Sequence, residues 1–175
     1  MEKNIDGVGM PDSWQRLWAP HRMEYLRGEN RPLAENEIVC PFCRIPTLGD
    51  QEGLIVHRGI EAFVVMNLYP YNVGHLLVCA YRHVGDLTDL SDTERNEISA
   101  LTSHAMKTLR KTAIASGFNI GMNQGVISGA GVAEHIHQHV IPRWAGDANF
   151  MPLIGKTKVL PALLTQTRDD LAAAW

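Results

Sequence analysis

The chain has 175 residues, which suits one domain with short additions at its ends. Hydrophobic residues make up 45 % and charged residues 20 %, the balance of a globular protein with a core, and a formal net charge of −3 excludes global attraction to nucleic acid. The opening MEKNIDGVGM carries no apolar run of leader type, and no segment is long enough to span a bilayer, so a cytoplasmic protein without a membrane partner is expected.

The first thirty residues hold Trp14, Leu17, Trp18, Met23, Tyr25 and Leu26, interrupted by Pro20. They predict a short helix, a turn and a second helical piece, packing as an arm on the body or a partner subunit, or lying over a ligand. Gly28 to Glu37 is polar and reads as a linker, so residues 1–36 form an arm and linker ahead of a body at 37–155. Leu54 to Arg58 and Glu61 to Asn67 predict two strands joined at Gly59 and Ile60. Leu68 to Val73, with Pro70 and Asn72, predicts a loop, and Leu76 to Tyr81 a central strand.

From Asp86 the period changes. Ser91 followed by Glu94 is a capping box, and Ile98, Leu101, Ala105, Met106, Leu109 and Ala113 recur at helical spacing up to Gly117, which is expected to end the helix. The charged run Asp86 to Glu97 reads as a solvated loop and helix face. Phe118 to Asn123 predicts a strand, Gly125 to Gly131 a flexible loop, and His135 to Pro142 a further strand. Val159, Leu160, Leu163, Leu164 and Leu171 predict a C-terminal helix over 156–175, with Pro161 near its start. Several strands, one long helix and a returning strand pair argue an α+β fold with an antiparallel sheet.

Chemistry concentrates in Glu134-His135-Ile136-His137-Gln138-His139-Val140. Alternate side chains of a strand share a face, about 7 Å apart. His135, His137 and His139 should therefore form a row, with Gln138 facing away. Such a row can ligate a metal, or one ring can act as a nucleophile while its neighbours manage protons. The preceding Asn123-Gln124-Gly125-Val126-Ile127-Ser128-Gly129 is glycine-rich and polar, a composition that turns backbone N–H groups toward anions. Together they suggest a phosphate beside a nucleophilic imidazole.

Cys40-Pro41-Phe42-Cys43 is the second constellation. It can be half of a zinc site completed by distant histidines, or a redox pair. The redox reading needs a helix that lowers a thiol pKa, and Pro46 and Gly49 make a long helix from Cys43 unfavourable. Cys79, mid-strand, reads as a small core residue. His21, His57 and His104 have no such context, and Arg143 and Trp144 could serve substrate or packing.

The run His135-Ile136-His137-Gln138-His139-Val140-Ile141 resembles the signature of the histidine triad family. The similarity extends through Phe63–Asn67, Gly74–Val78 and Phe118–Asn123, covering about Gly53 to Pro152. A narrower similarity, to the family's bacterial diadenosine tetraphosphate phosphorylase branch, lies in Leu17–Met23, Pro142–Phe150 and the C-terminal helix. The resemblance implies a half-barrel-like antiparallel sheet with one long helix, a homodimer, and cleavage of an adenine nucleotide or dinucleoside polyphosphate at the α-phosphate. It implies that His137 forms the nucleotidyl intermediate, that His139 contacts phosphate and helps set the nucleophile's proton, and that His75 sits near the triad. It assigns Asn67 to the ribose, and Asn123, Gln124, Ser128, Gly129 and His139 to nucleotide binding. In zinc-containing relatives the cysteine pair is joined by residues matching His83 and His135, implying structural zinc on Cys40, Cys43, His83 and His135. A metal-dependent phosphohydrolase using the row as ligands, or a nucleotide-binding regulator with little turnover, are the competing readings.

Overall fold

The protein is described from a computed structural model over residues 40–147 and 162–175. The arm and linker, including His21, the segment 148–161, and with them Val159, Leu160 and Pro161, lie outside the described residues. The elements run α1 (Pro41–Arg44), β1 (Ile55–Arg58), β2 (Ala62–Met66), β3 (Leu76–Ala80), α2 (Asp92–Ala113), β4 (Gly117–Met122), β5 (His137–Arg143) and α3 (Leu164–Ala174). Short 3₁₀ turns follow α1 and precede α2, and another, Val126–Ser128, lies between β4 and β5. The strands form one antiparallel sheet in the order β1-β2-β3-β5-β4, so the expected α+β class holds.

Strands β2 and β3 are buried on both faces, which is why they read as unbroken apolar runs. Their alternation divides two cores. Ala62, Val64, Met66, Leu76, Val78 and Ala80 face α2 and meet Ile98, Leu101, Ala105 and Leu109. Phe63, Val65, Leu77 and Cys79 face the other way and meet Phe42 of α1. Cys79 is fully buried, and burial pushes its thiol well above the ordinary range, in keeping with a core role. Gly74 is needed twice over: its φ is +75°, and a Cβ there would stand 3.0 Å from a methyl of Leu109.

Helix α2 starts as expected. Ser91 Oγ accepts from Glu94 N–H, and Glu94 Oε2 accepts from Ser91 N–H at 2.7 Å. The end differs. The helix stops at Ala113, and Ile114 takes the left-handed conformation at φ 51°, donating its N–H to Leu109 O. A left-handed β-branched residue costs about 1–2 kcal/mol. The turn delivers Ser116 N–H to Arg143 O and Gly117 to its rung with Arg143, so the glycine opens β4 instead of closing the helix. Sheet pairing outweighs the local glycine signal. Similarly, α3 begins at Leu164, because Leu163 is extended, not helical. Strand β5 begins at His137; Ile136 N–H donates instead to Val84 O at 2.7 Å.

The charged run Asp86 to Glu97 is not simply solvated. Glu94 has 5 % of its side chain exposed and receives Arg82 through Nε–Oε1 at 2.9 Å and Nη2–Oε2 at 2.7 Å. Glu97 accepts N–H bonds from Ile60, Glu61 and Ala62 and thereby closes the β1–β2 turn. His57 and His104 also have a shared partner that the sequence does not reveal: both stack on Trp175, at 5.0 and 4.6 Å.

The Glu94 carboxyl is held at about 2, against an ordinary 4.5, mainly by the Arg82 hydrogen bond. A carboxylate lowered in this way stabilises the fold above pH 4.5 and loses that contribution as pH falls toward 2. Glu94→Gln should cost about 1–2 kcal/mol at neutral pH. Urea titrations should show the gap to wild type closing between pH 4.5 and 2.

Candidate active site and metal cluster

The antiparallel registers Leu77↔His139 and Cys79↔His137 put these two histidines on the sheet face opposite α2. Gln138 points to α2 and donates to Thr102 Oγ1 at 2.6 Å, so the expected alternation holds there. The row itself divides. His135 stands ahead of the strand and turns toward the cysteine pair, while His137 and His139 remain together with ring centroids 5.2 Å apart. His75 joins the second group, Nε2 to His139 Nδ1 at 2.9 Å.

Backbone atoms fix where each ring carries its proton. A carbonyl can only accept, so His137 Nδ1, 2.8 Å from His135 O, bears the hydrogen, and His137 Nε2 carries the lone pair. His135 Nε2, 2.8 Å from Ala80 O, bears its hydrogen too, and its Nδ1 lone pair faces the cysteines. Tyr71 N–H donates to His75 Nδ1 at 3.0 Å. Asn67 Oδ1 accepts from Tyr69 N–H, which aims the Asn67 amide nitrogen at the same His75 Nδ1, 3.3 Å away. His75 Nδ1 is therefore the acceptor and its Nε2–H donates to His139 Nδ1, leaving the His139 hydrogen on Nε2. The paired rings present a bare nucleophilic nitrogen on His137 and an N–H donor on His139.

Burial favours neutral rings. It lowers the pKa of His137, opposed by the bond to the His135 carbonyl, and it lowers His139 to about 4, helped by the neighbouring His137. At neutral pH both are imidazoles. Phe42 lies on the His137 ring with centroids 4.7 Å apart and meets the edge of His135 at 5.5 Å, covering that side of the nucleophile.

The remaining expected nucleotide residues come from β4 and its loop. Met122 pairs with Gln138, so Asn123 leaves the strand opposite His137. Gln124 Oε1 accepts from Leu87 N–H at 3.1 Å. The Ser128 hydroxyl donates to Gly125 O at 2.7 Å, and Gly129 N–H to Val126 O at 3.1 Å, so parts of this loop are engaged within the protein. Arg143 and Trp144 are both engaged within the protein: Arg143 forks onto Asp147, and Trp144 Nε1–H donates to Ala113 O.

The four expected metal ligands converge. Cys40, Cys43, His83 and His135 each offer a ligand atom, all within 4.8 Å of one another. Cys40 Sγ is 3.3 Å and Cys43 Sγ 3.5 Å from His135 Nδ1, and Cys43 Sγ is 3.3 Å from His83 Nδ1. Ligand atoms around a tetrahedral S₂N₂ ion lie about 3.5 Å apart, so the donor set fits. The helix after Cys40 is only four residues long, too short for the redox reading. Gly85 permits the convergence: a Cβ there would stand 2.8 Å from Ala133 O, where the segment after His83 passes the approach to His135. Among the described residues, His137 and His139 lie outside this ligand group.

Sequence profiles of the HIT domain match residues 50–146. The chain belongs to the histidine triad family. It is 48 % identical to AP-4-A phosphorylase of Mycobacterium tuberculosis over 172 residues, covering 97 % of this chain and 88 % of that protein. It is 38 % identical over 106 residues to the asymmetrical bis(5'-nucleosyl)-tetraphosphatase of Schizosaccharomyces pombe, covering 61 % of this chain and 56 % of that one. Among solved structures, a zinc-bound histidine triad family protein from Mycobacterium smegmatis superposes with a TM-score of 0.62 at 25 % identity, covering 78 % of this chain and 93 % of that one. No helix among the described residues is long and apolar enough to cross a membrane.

Removing metal with a chelator should lower the melting temperature by about 5 °C or more, since an ion that binds only the folded state stabilises it. Cobalt added to the stripped protein should give thiolate charge-transfer absorption that Cys40→Ser abolishes. An unchanged melt and a silent spectrum would count against a metal cluster.

Proposed function

We propose that this histidine triad enzyme cleaves adenine dinucleoside polyphosphates at the α-phosphate, with diadenosine tetraphosphate as substrate and inorganic phosphate as acceptor. One observation carries the reading: the His135 carbonyl leaves His137 Nε2 with its lone pair, beside an N–H donor on His139. The 48 % identity to an AP-4-A phosphorylase over nearly the whole chain supports the substrate.

His137 Nε2 attacks the α-phosphorus in line. The bond from that phosphorus to the bridging oxygen breaks, and ATP leaves with the electron pair. His139 Nε2–H donates to a non-bridging oxygen, while the His137 Nδ1–H bond to the His135 carbonyl accommodates positive charge on the ring. Phosphate then attacks the same phosphorus, releasing ADP and neutral imidazole. His75 holds the His139 ring. Asn67 is assigned to the ribose, and Asn123, Gln124, Ser128 and Gly129 to the phosphates. Splitting the reaction at a covalent intermediate allows phosphate rather than water to accept the nucleotidyl group.

For the cluster we assign structural zinc, which would tie the α1 turn to the entrance of β5. Burial lowers the pKa of His135, favouring the neutral imidazole that a metal needs. Free thiols at Cys40, Cys43 and Cys79 suit a reducing cytoplasmic setting. We take residues 37–155 as the catalytic body, 1–36 as its arm and 156–175 as its C-terminal segment. Strand β4 ends the sheet with Ile120 45 % exposed, which supports a homodimer formed along that edge. Light scattering should give twice the chain mass, and Ile120→Lys should halve it.

Incubation with diadenosine tetraphosphate and phosphate should yield ADP plus ATP and leave label on the protein after a short quench. His137→Ala should lower turnover about 10³-fold or more and abolish labelling. The rate should hold through neutral pH and fall in acid as the His137 ring gains its proton, at a pH below the ordinary imidazole value because burial lowers it. Tight binding without turnover would overturn the enzymatic reading.

A further inference from the structure

We propose that Asn72, held by the Arg143–Asp147 pair, is a positioning residue that selects the tautomer of His75 and His139. The inference rests on the reading of His139 as the phosphate donor.

Two arrangements of the His75–His139 pair keep the bond between the rings. In one, His75 Nε2–H donates to His139 Nδ1, and His139 offers an N–H to substrate. In the other, His139 Nδ1–H donates to His75 Nε2, and His139 turns a lone pair toward the anionic phosphate. The two differ by moving one proton on each ring, and each ring is neutral in both. What separates them is the pair of donors facing His75 Nδ1. Tyr71 N–H points at that nitrogen from 3.0 Å and the Asn67 amide nitrogen from 3.3 Å, and neither can face a second N–H without repulsion. The selection therefore depends on where the segment between β2 and β3 holds Tyr71 and Asn67.

The tip of that loop is fastened to the far end of β5. Asn72 Nδ2 donates to Asp147 Oδ2 at 2.9 Å and lies 3.2 Å from Pro142 O. Asp147 is pinned by the Arg143 guanidinium, Nε to Oδ2 at 2.6 Å and Nη2 to Oδ1 at 2.8 Å, and also accepts Trp144 N–H. The third Arg143 nitrogen donates to Asn119 Oδ1 on β4 at 2.7 Å. Only 9 % of the Asp147 side chain is exposed, and the Arg143 bond holds its carboxyl at about 2, so it stays charged and fixed in place. Within the loop, Asn72 O accepts His75 N–H at 3.1 Å, so the residue that grips Asp147 also borders both partners of the selecting bond. The Tyr71 ring lies along His75 and His139, with centroids 5.0 and 5.8 Å away, and would move with the same tether. Among the described residues, Asn72, Asp147 and Arg143 make no hydrogen bond to His137. The network's effect on chemistry runs through the proton position on His139.

The test uses the full-length ¹⁵N-labelled protein as purified, with Asn72→Ala and the isosteric Asn72→Asp, which sets two carboxylates against each other. Long-range ¹⁵N–¹H spectra distinguish an Nε2–H ring from an Nδ1–H ring directly. In wild type, His75 and His139 should both carry the hydrogen on Nε2. In a variant that keeps its cooperative melt, the pair should shift toward the Nδ1–H form. Its kcat for phosphate-dependent cleavage of diadenosine tetraphosphate should fall about 10- to 100-fold with KM within about threefold. Rings that stay in the Nε2–H form in a folded variant would overturn the proposal, whether or not turnover falls. So would a tautomer shift that leaves kcat unchanged. The spectra need no substrate, so they judge the tether even where wild type fails to turn over a dinucleotide, a result that would instead defeat the proposed function.

Discussion

The backbone carbonyl of His135 is the pivot of this molecule. It accepts from His137 Nδ1 and so leaves the lone pair on His137 Nε2. The side chain of the same residue is directed the other way, donating to Ala80 O and turning its own lone pair toward two cysteines. One residue thus joins a structural cluster to a reactive ring. It can do so because it stands just before β5, where its peptide is not committed to the ladder. Had the strand begun at His135, the carbonyl would have pointed to a neighbouring strand and left the His137 tautomer undetermined.

The Cys/His cluster and the His137–His139 pair are therefore contiguous, and Phe42 makes the contact physical. It sits between the two cysteines in sequence and against the His137 ring in space. The short turn that positions the thiols also covers one side of the His137 ring, whose burial favours its neutral form. A second line of support approaches from the opposite end of β5, through Arg143, Asp147 and Asn72 to the loop that governs His75. The reactive pair is held from both ends of one strand, while its middle is secured by the ladder with β3.

Much of this was legible in the residues. The alternation of His137, Gln138 and His139, the apolar runs of β2 and β3 and the Ser91–Glu94 box each follow from local geometry and were found where expected, whereas His135 stands ahead of the strand and leaves the row. The cysteine spacing announced half a ligand set, and likeness to known relatives supplied His83 and His135. Other features had no local signal. Glu97 looks like any helix-surface acid, yet it closes the β1–β2 turn because the sheet edge passes over α2 there. His57 and His104 look uninformative until both are seen stacked on Trp175. Gly117 looked like a helix stop and is a strand start, because pairing with Arg143 overrides the local preference of one glycine.

By itself the sequence determined the fold class and the face of β5 that His137 and His139 share, because hydrophobic period and side-chain alternation act over only a few residues. The tertiary structure alone decided where the protons sit and which histidine serves which site. Tautomers are set by single carbonyls and amides brought within about 3 Å from distant parts of the chain, and no spacing along a sequence encodes such an approach.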